Sequence, residues 1–159
     1  MAKQPRRDLR SLLLVPQHDL MAQIDARMDR LAMPTLRPAH AQLLAFIEAQ
    51  TAARGDGSGV RLTDLVASMR LAKQTVGDMI DDLEAQKLVE RYSDPDHGVI
   101  KRVRLGSRGK VLAGEVRKVS DATEARWAKL LGKKKMAALR SVLEDLAAGL
   151  AAEAAADKK

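Results

Sequence analysis

Two short apolar patterns near the middle of the chain constrain its fold more than any other feature. Leu62, Leu65, Val66 and Met69 recur at i, i+3, i+4 and i+7. Val76, Met79, Ile80 and Leu83 repeat that spacing, with Arg70-Leu71-Ala72 as a tight break between them. Each pattern is the buried stripe of an amphipathic helix. Two such helices joined by about three or four residues form a helix-turn-helix. The period then changes. Leu88-Val89-Glu90-Arg91-Tyr92 has strand composition, and Ser93 to Gly98 is turn chemistry. Val99 to Leu105 alternates, which predicts Val103 and Leu105 inward and Arg102 and Arg104 outward. Helix, helix and hairpin in this order predict a winged helix-turn-helix. At its start, Arg61-Leu62 fits a short strand, Thr63 an N-cap, and Asp64 the positive end of the helix.

Helices are expected on both sides. Met21, Ile24, Met28 and Leu31 step by 3, 4 and 3, a narrow seam in a helix that Pro16 can enter in its first turn and Pro34 ends. Pro38 restarts a helix with Leu43, Phe46 and Ile47 inward, before a glycine-rich loop at 54–59. The Arg54-Gly55-Asp56 in that loop is read as chance. Leu112, Val116, Val119, Thr123 and Trp127 predict one long helix ending near Gly132. Met136, Leu139, Leu143, Leu146 and Leu150 form a heptad-like seam in an Ala-rich helix, and residues 151–159 are expected to fray. Such a seam either folds back on its own domain or pairs with another chain. The expected architecture is mainly α with a small β-hairpin wing. It divides into an N-terminal helix at 1–35, a winged region at 36–106 and C-terminal helices at 107–159. Phe46, Tyr92 and Trp127 are the only aromatic residues, so Leu, Val, Met and Ala must build the core.

The 159 residues carry a net charge of +7, which points to a polyanionic partner. That charge is uneven. Residues 61–90 hold 4 basic and 6 acidic groups, and residues 91–140 hold 14 and 5, so the wing and the helix after it carry the excess. Cysteine is absent, which excludes disulfides, thiolate nucleophiles and Cys–zinc sites and fits a cytoplasmic setting. The longest Leu/Val run, Leu12 to Val15, is far below the roughly 18 residues of a membrane span. His18, His40 and His97 are at least 22 residues apart, with no metal-ligand spacing. Asp81-Asp82 are neighbours on a helix and are expected to diverge into solvent. No glycine-rich phosphate-cradling motif occurs. The expectation is a non-enzyme with no metal, no cofactor and no membrane.

A DNA-reading helix presents its first turn to base edges in the major groove. Here that turn is Lys73, Gln74 and Thr75, with Gly77 and Asp78 one turn on. Lys73 suits guanine or phosphate, and Gln74 suits adenine N6/N7. Thr75 suits a thymine methyl or a helix cap, and Gly77 a close backbone approach. Arg91, Lys101, Arg102 and Arg104 lie where a wing can follow a phosphate backbone. Arg108, Lys110, Arg117 and Lys118 continue the field, and Lys133-Lys134-Lys135 mark a helix boundary.

Leu36-Arg37-Pro38-Ala39-His40, Leu62-Thr63-Asp64-Leu65, Lys73 to Asp78, Leu83 to Arg91 and Asp94-Pro95 together resemble the MarR family of winged-helix transcriptional regulators. The resemblance implies a homodimer with interleaved first and last helices, so that Met21, Ile24, Met28, Leu31, Met136, Leu139, Leu143, Leu146 and Leu150 would serve dimerisation. It implies sequence-specific binding to duplex DNA at a pseudo-palindromic operator, as a repressor released by a small-molecule effector. Such a pocket would lie near His40 and Phe46. The family's wing tip has an acid and then an Arg. Here His97 and Val99 take those places, Lys101 matches, and Leu105-Gly106 replaces Leu-Thr, leaving the next cap to Ser107. Two other readings stay open: a winged-helix protein–protein adaptor and a non-specific architectural DNA binder.

Overall fold

The computed structural model describes residues 8–34, 36–55, 57–94 and 97–156. In chain order the elements are α1 (Leu9–Arg30), α2 (Pro38–Arg54), β1 (Val60–Arg61), α3 (Leu62–Met69), α4 (Lys73–Ala85), β2 (Val89–Ser93), β3 (Lys101–Leu105), α5 (Ser107–Leu131) and α6 (Lys133–Ala156). The expected mainly helical winged helix-turn-helix is present. The three strands form one antiparallel sheet in the order β1-β3-β2. Val60 faces Val103 across β1–β3, and Arg91 faces Val103 across β2–β3. The chain divides into two compact units, Met1–Lys118 and Val119–Lys159.

Several local expectations are corrected. Helix α1 starts well before Pro16, because Asp8 Oδ1 accepts the Ser11 N–H at 2.7 Å and caps it. Pro16 therefore lies inside the helix, where it removes one ladder donor. The first strand is Val60–Arg61, one residue earlier than expected. Leu62 already begins α3, so Arg61 rather than Thr63 occupies the N-cap position. Asp64 does fall in the first turn. Ala72 precedes α4 with no side-chain cap, so Thr75 is not a cap either. The Gly106 carbonyl accepts the Lys110 N–H at 3.0 Å, which makes Gly106, not Ser107, the entry to α5. Residues 151–156 continue α6, and residues 157–159 lie outside the described residues.

The core of the first unit is aliphatic. Leu43, Ile47, Leu65, Val76, Ile80, Leu83, Leu88 and Val103 are fully buried. Each contributes about 1.5–3 kcal/mol of transfer free energy. Phe46 is half-buried against them. Met28 is buried in the same core and Ile24 packs on it, so these two seam residues of α1 serve their own chain. Arg27 ties α1 to α5, donating to Glu115 Oε2 through Nε at 2.8 Å and Nη2 at 2.5 Å. Lys118 and Arg27 hold the Glu115 carboxyl below the usual carboxylate range. In the second unit, Gly132 (φ 84°) separates the two helices, and Arg140 of α6 bonds Glu124 of α5 and keeps that carboxyl low.

The passage from α4 to the wing is fixed by backbone contact. Lys87 adopts φ 59°, and the Leu88 N–H returns to the Leu83 carbonyl at 2.9 Å, ending α4 in a Schellman turn. The start of α5 lies directly on that turn. The Gly106 N–H donates to the Leu88 carbonyl at 2.9 Å. A Cβ at Gly106 would stand 2.6 Å from the Lys87 oxygen, and one at Gly109 would stand 1.9 Å from the Leu88 oxygen. Gly114, on the same helix, meets nothing within 4 Å. Gly109→Ala should therefore cost about 2–3 kcal/mol by forced overpacking. Gly114→Ala should gain about 0.8–1 kcal/mol from helix propensity. Urea unfolding of the two variants measures both signs, and equal effects would contradict the contact.

Candidate nucleic-acid interface

Helices α3 and α4 are joined by Arg70 in the left-handed conformation (φ 52°) followed by Leu71 and Ala72. Val76, Met79, Ile80 and Leu83 bury one face of α4, so the opposite face is free. Lys73, Gln74, Thr75 and Asp78 are all exposed on it. The Gln74 amide donates from Nε2 to Asp78 Oδ1 at 2.8 Å. Gly77 is half-buried, but a Cβ there would touch nothing within 4 Å. The close approach expected of Gly77 is thus not made within the chain. Its carbonyl instead accepts from Arg91 Nη2 at 3.1 Å.

The wing is β2, β3 and the turn between them, of which residues 95 and 96, including Pro95, lie outside the described residues. The Asp94 N–H donates to the Ile100 carbonyl at 2.8 Å, and Ile100 N–H to the His97 carbonyl at 2.8 Å. His97, Gly98 and Val99 are exposed beyond this closure, Val99 at 95%. Strand β3 begins at Lys101, so Val99 belongs to the tip and not to the strand.

The wing's basic residues divide sharply. Arg91 is held between Asp81 and Glu84 of α4, with Nη1 2.9 Å from Glu84 Oε2 and its backbone N–H 3.0 Å from Glu84 Oε1. Arg102 is not outward as expected. Its side chain is only 11% exposed and donates from Nε to Asp94 Oδ2 at 2.6 Å, the Asp94 side chain being 2% exposed. Its Nη1 also reaches the Ser58 carbonyl at 3.3 Å. The reason is the sheet register: Arg102 sits beside β1 and across from Tyr92, within reach of the Ser58 and Gly59 carbonyls. Arg104 is outward, but bonds Glu90 at 2.5 Å and lies 4.7 Å from the Tyr92 ring centroid, a cation–π contact. Only Lys101, bonded to Ser93 Oγ at 2.8 Å, has no carboxylate partner.

Carboxylates of the net-negative segment 61–90, namely Asp81, Glu84 and Glu90, thus neutralise arginines of the positive segment that follows. Asp81 and Asp82 diverge and are exposed, as expected, and each also forms an ion pair, with Arg91 and with Arg37. The uncompensated cations near α4 are others. Arg61, Arg70 and Lys73 are exposed, and none forms an ion pair among the described residues. Sequence reasoning did not single out Arg61 and Arg70. The available signal was their place on either side of α3, in a segment where five of six acids, all but Asp78, pair with other residues.

Residues 35–98 match the MarR family model. The match falls on the winged-helix segment. Solved structures agree in fold over about nine-tenths of the chain. A MepR point mutant from a multidrug-resistant S. aureus clinical isolate superposes with TM-score 0.72 at 17% identity, covering 92% of this chain and 99% of the other. A structure of MarR gives 0.66 at 19% identity, with 91% and 98% covered. The S. aureus MepR–DNA complex gives 0.62 at 18% identity, with 89% and 98% covered. No curated protein matches the chain in sequence.

The remaining candidate residues take their places on this winged-helix scaffold. His40, 5% exposed on α2, lies with Nε2 3.3 Å from Asp82 Oδ2, and Arg37 donates to the same oxygen at 2.7 Å. His40 Nδ1 is buried with no partner among the described residues. Of the seam residues, Met136 is buried, while Met21, Leu31, Leu139, Leu143, Leu146 and Leu150 are exposed in the single chain. Arg108 donates to the Gln86 carbonyl at 3.3 Å, and Arg117 and Lys118 pair with Glu48 and Glu115. Among the described residues no group of three His, Asp or Glu could hold a metal ion, and no helix is long and apolar enough to cross a membrane.

Replacing Arg102 by Met removes its ion pair with the buried Asp94 carboxylate, which should cost about 3–5 kcal/mol. Replacing Arg104, an exposed pair, should cost about 0–1 kcal/mol. Chemical denaturation of the two variants separates a positioning arginine from a surface one; comparable losses would contradict the assignment.

Proposed function

We propose that this chain is a DNA-binding transcription regulator, cytoplasmic, acting as a homodimer on a pseudo-palindromic operator. One observation carries the reading: the first turn and a half of α4 presents Lys73, Gln74, Thr75 and Asp78 to solvent beside the free cations Arg61 and Arg70. That is a base-reading surface flanked by phosphate-binding charge. The N-terminus of α4 has no side-chain cap, so its backbone N–H groups are also available to a phosphate.

The exposed leucine rows of α1 and α6 support a homodimer, with residues 1–35 and 107–159 supplying dimer helices and 36–106 the DNA-binding region. Two α4 helices about one DNA turn apart would then meet two half-sites. A repressor acting by occlusion, released by a small effector near Phe46, is the fuller form of this reading. S. aureus MepR has been solved bound to an oligodeoxyribonucleotide and to ethidium bromide, which supports both halves by analogy. His40 would act through Asp82, steadying α4, since its ring is already buried against that carboxylate.

The clamping role moves from the wing arginines to Arg61, Arg70, Lys73 and Lys101, with Val99 standing exposed at the tip. The wing's neutralisation also favours a second reading, a protein–protein adaptor. Fluorescence anisotropy on the duplex upstream of its own gene, across salt concentrations, tests both. Arg70→Gln and Lys73→Gln should each weaken binding to all duplexes and lower the salt slope by about one. Arg104→Gln should change affinity less than about twofold. Equal losses would contradict the division of charge, and no duplex binding at physiological salt would favour the adaptor.

A further inference from the structure

We infer that Gln74 and Asp78 act as one coupled reading unit, selecting an adenine beside a cytosine and penalising guanine. The inference rests on the DNA-binding reading of α4. Both side chains are exposed, one helical turn apart, and joined by the 2.8 Å bond from Gln74 Nε2 to Asp78 Oδ1. Only the NH2 end of an amide can donate to a carboxylate, so this bond fixes which way the Gln74 amide points. One amide hydrogen is committed to Asp78. The other, with the carbonyl beside it, remains as the donor–acceptor edge that matches adenine N7 and N6.

Asp78 contributes the other half. An ionised carboxylate only accepts hydrogen bonds, so in the major groove it fits the cytosine N4 amino group. Guanine O6 and N7, and thymine O4, offer only lone pairs and would leave the carboxylate desolvated and unpaired. Of the four acids on α4, Asp81 and Glu84 are bound to Arg91 and Asp82 to Arg37 and His40, whereas Asp78 is exposed and forms no ion pair among the described residues. Among the described residues no arginine pairs with it, and close to phosphates it opposes binding wherever the base edge facing it offers no amino group. Selectivity here comes from rejecting wrong sites as much as from attracting the right one.

Selection from a pool of randomised duplexes, with the wild-type protein and with Gln74→Ala, Asp78→Ala and Asp78→Asn, tests this. The wild type should enrich an adenine and a cytosine at neighbouring steps, each preferred by about tenfold or more. Gln74→Ala should lose the adenine. Asp78→Ala should lose the cytosine, blur the adenine because the amide is no longer held, and bind random duplex more tightly. Asp78→Asn should move the cytosine preference to adenine. Circular dichroism checks that these surface variants fold. A wild type that selects a motif which Asp78→Ala selects equally well overturns the coupled unit alone. A wild type that selects no motif overturns both this inference and the sequence-specific reading beneath it.

Discussion

Arg91 lies between Asp81 and Glu84 of α4 and reaches the Gly77 carbonyl, and much of the site follows from that contact. It fastens the first wing strand to the helix whose exposed face is the candidate reader. The same carboxylates that fasten it remove it from the pool of cations open to a phosphate backbone. Arg102 on Asp94 and Arg104 on Glu90 repeat the arrangement within the sheet. Three arginines of the positive block are therefore spent on holding the wing in place. What remains uncompensated near α4 lies around the helix-turn-helix itself.

A second constraint is purely steric. The Schellman turn after α4 and the first turn of α5 share a space that only glycine permits at positions 106 and 109. This sets where α5 leaves the sheet. Charge pairing on one side of α4 and backbone contact at its end together give the reading face a fixed setting. Neither depends on an aromatic core, which this chain lacks.

The helical and strand periods made most of the fold legible. The stripes at 62–69 and 76–83, the alternation through 101–105 and the break at 70–72 all stand in the structure. Errors gathered at element ends, where caps decide. Asp8 outweighed Pro16 as the marker of a helix start, and Gly106 outweighed Ser107. The exposed residues of α4 were legible as well, because the buried stripe fixes the opposite face. The fate of the wing arginines was not. Strand alternation says which face a residue occupies, but not that Ser58 and Asp94 lie over that face to receive Arg102. Pairing between Asp81 and Arg91 depends on tertiary placement across a turn. Counting charge along the chain located the excess correctly and misjudged which part of it was free.

The structure of the protein bound to a duplex that it selects is the most direct measurement of the account. It should show Gln74 and Asp78 within hydrogen-bonding distance of base edges, Arg61 and Arg70 on phosphates, and Arg102 still on Asp94. Arg102 turned out onto the DNA backbone, with α4 standing clear of the groove, would contradict it.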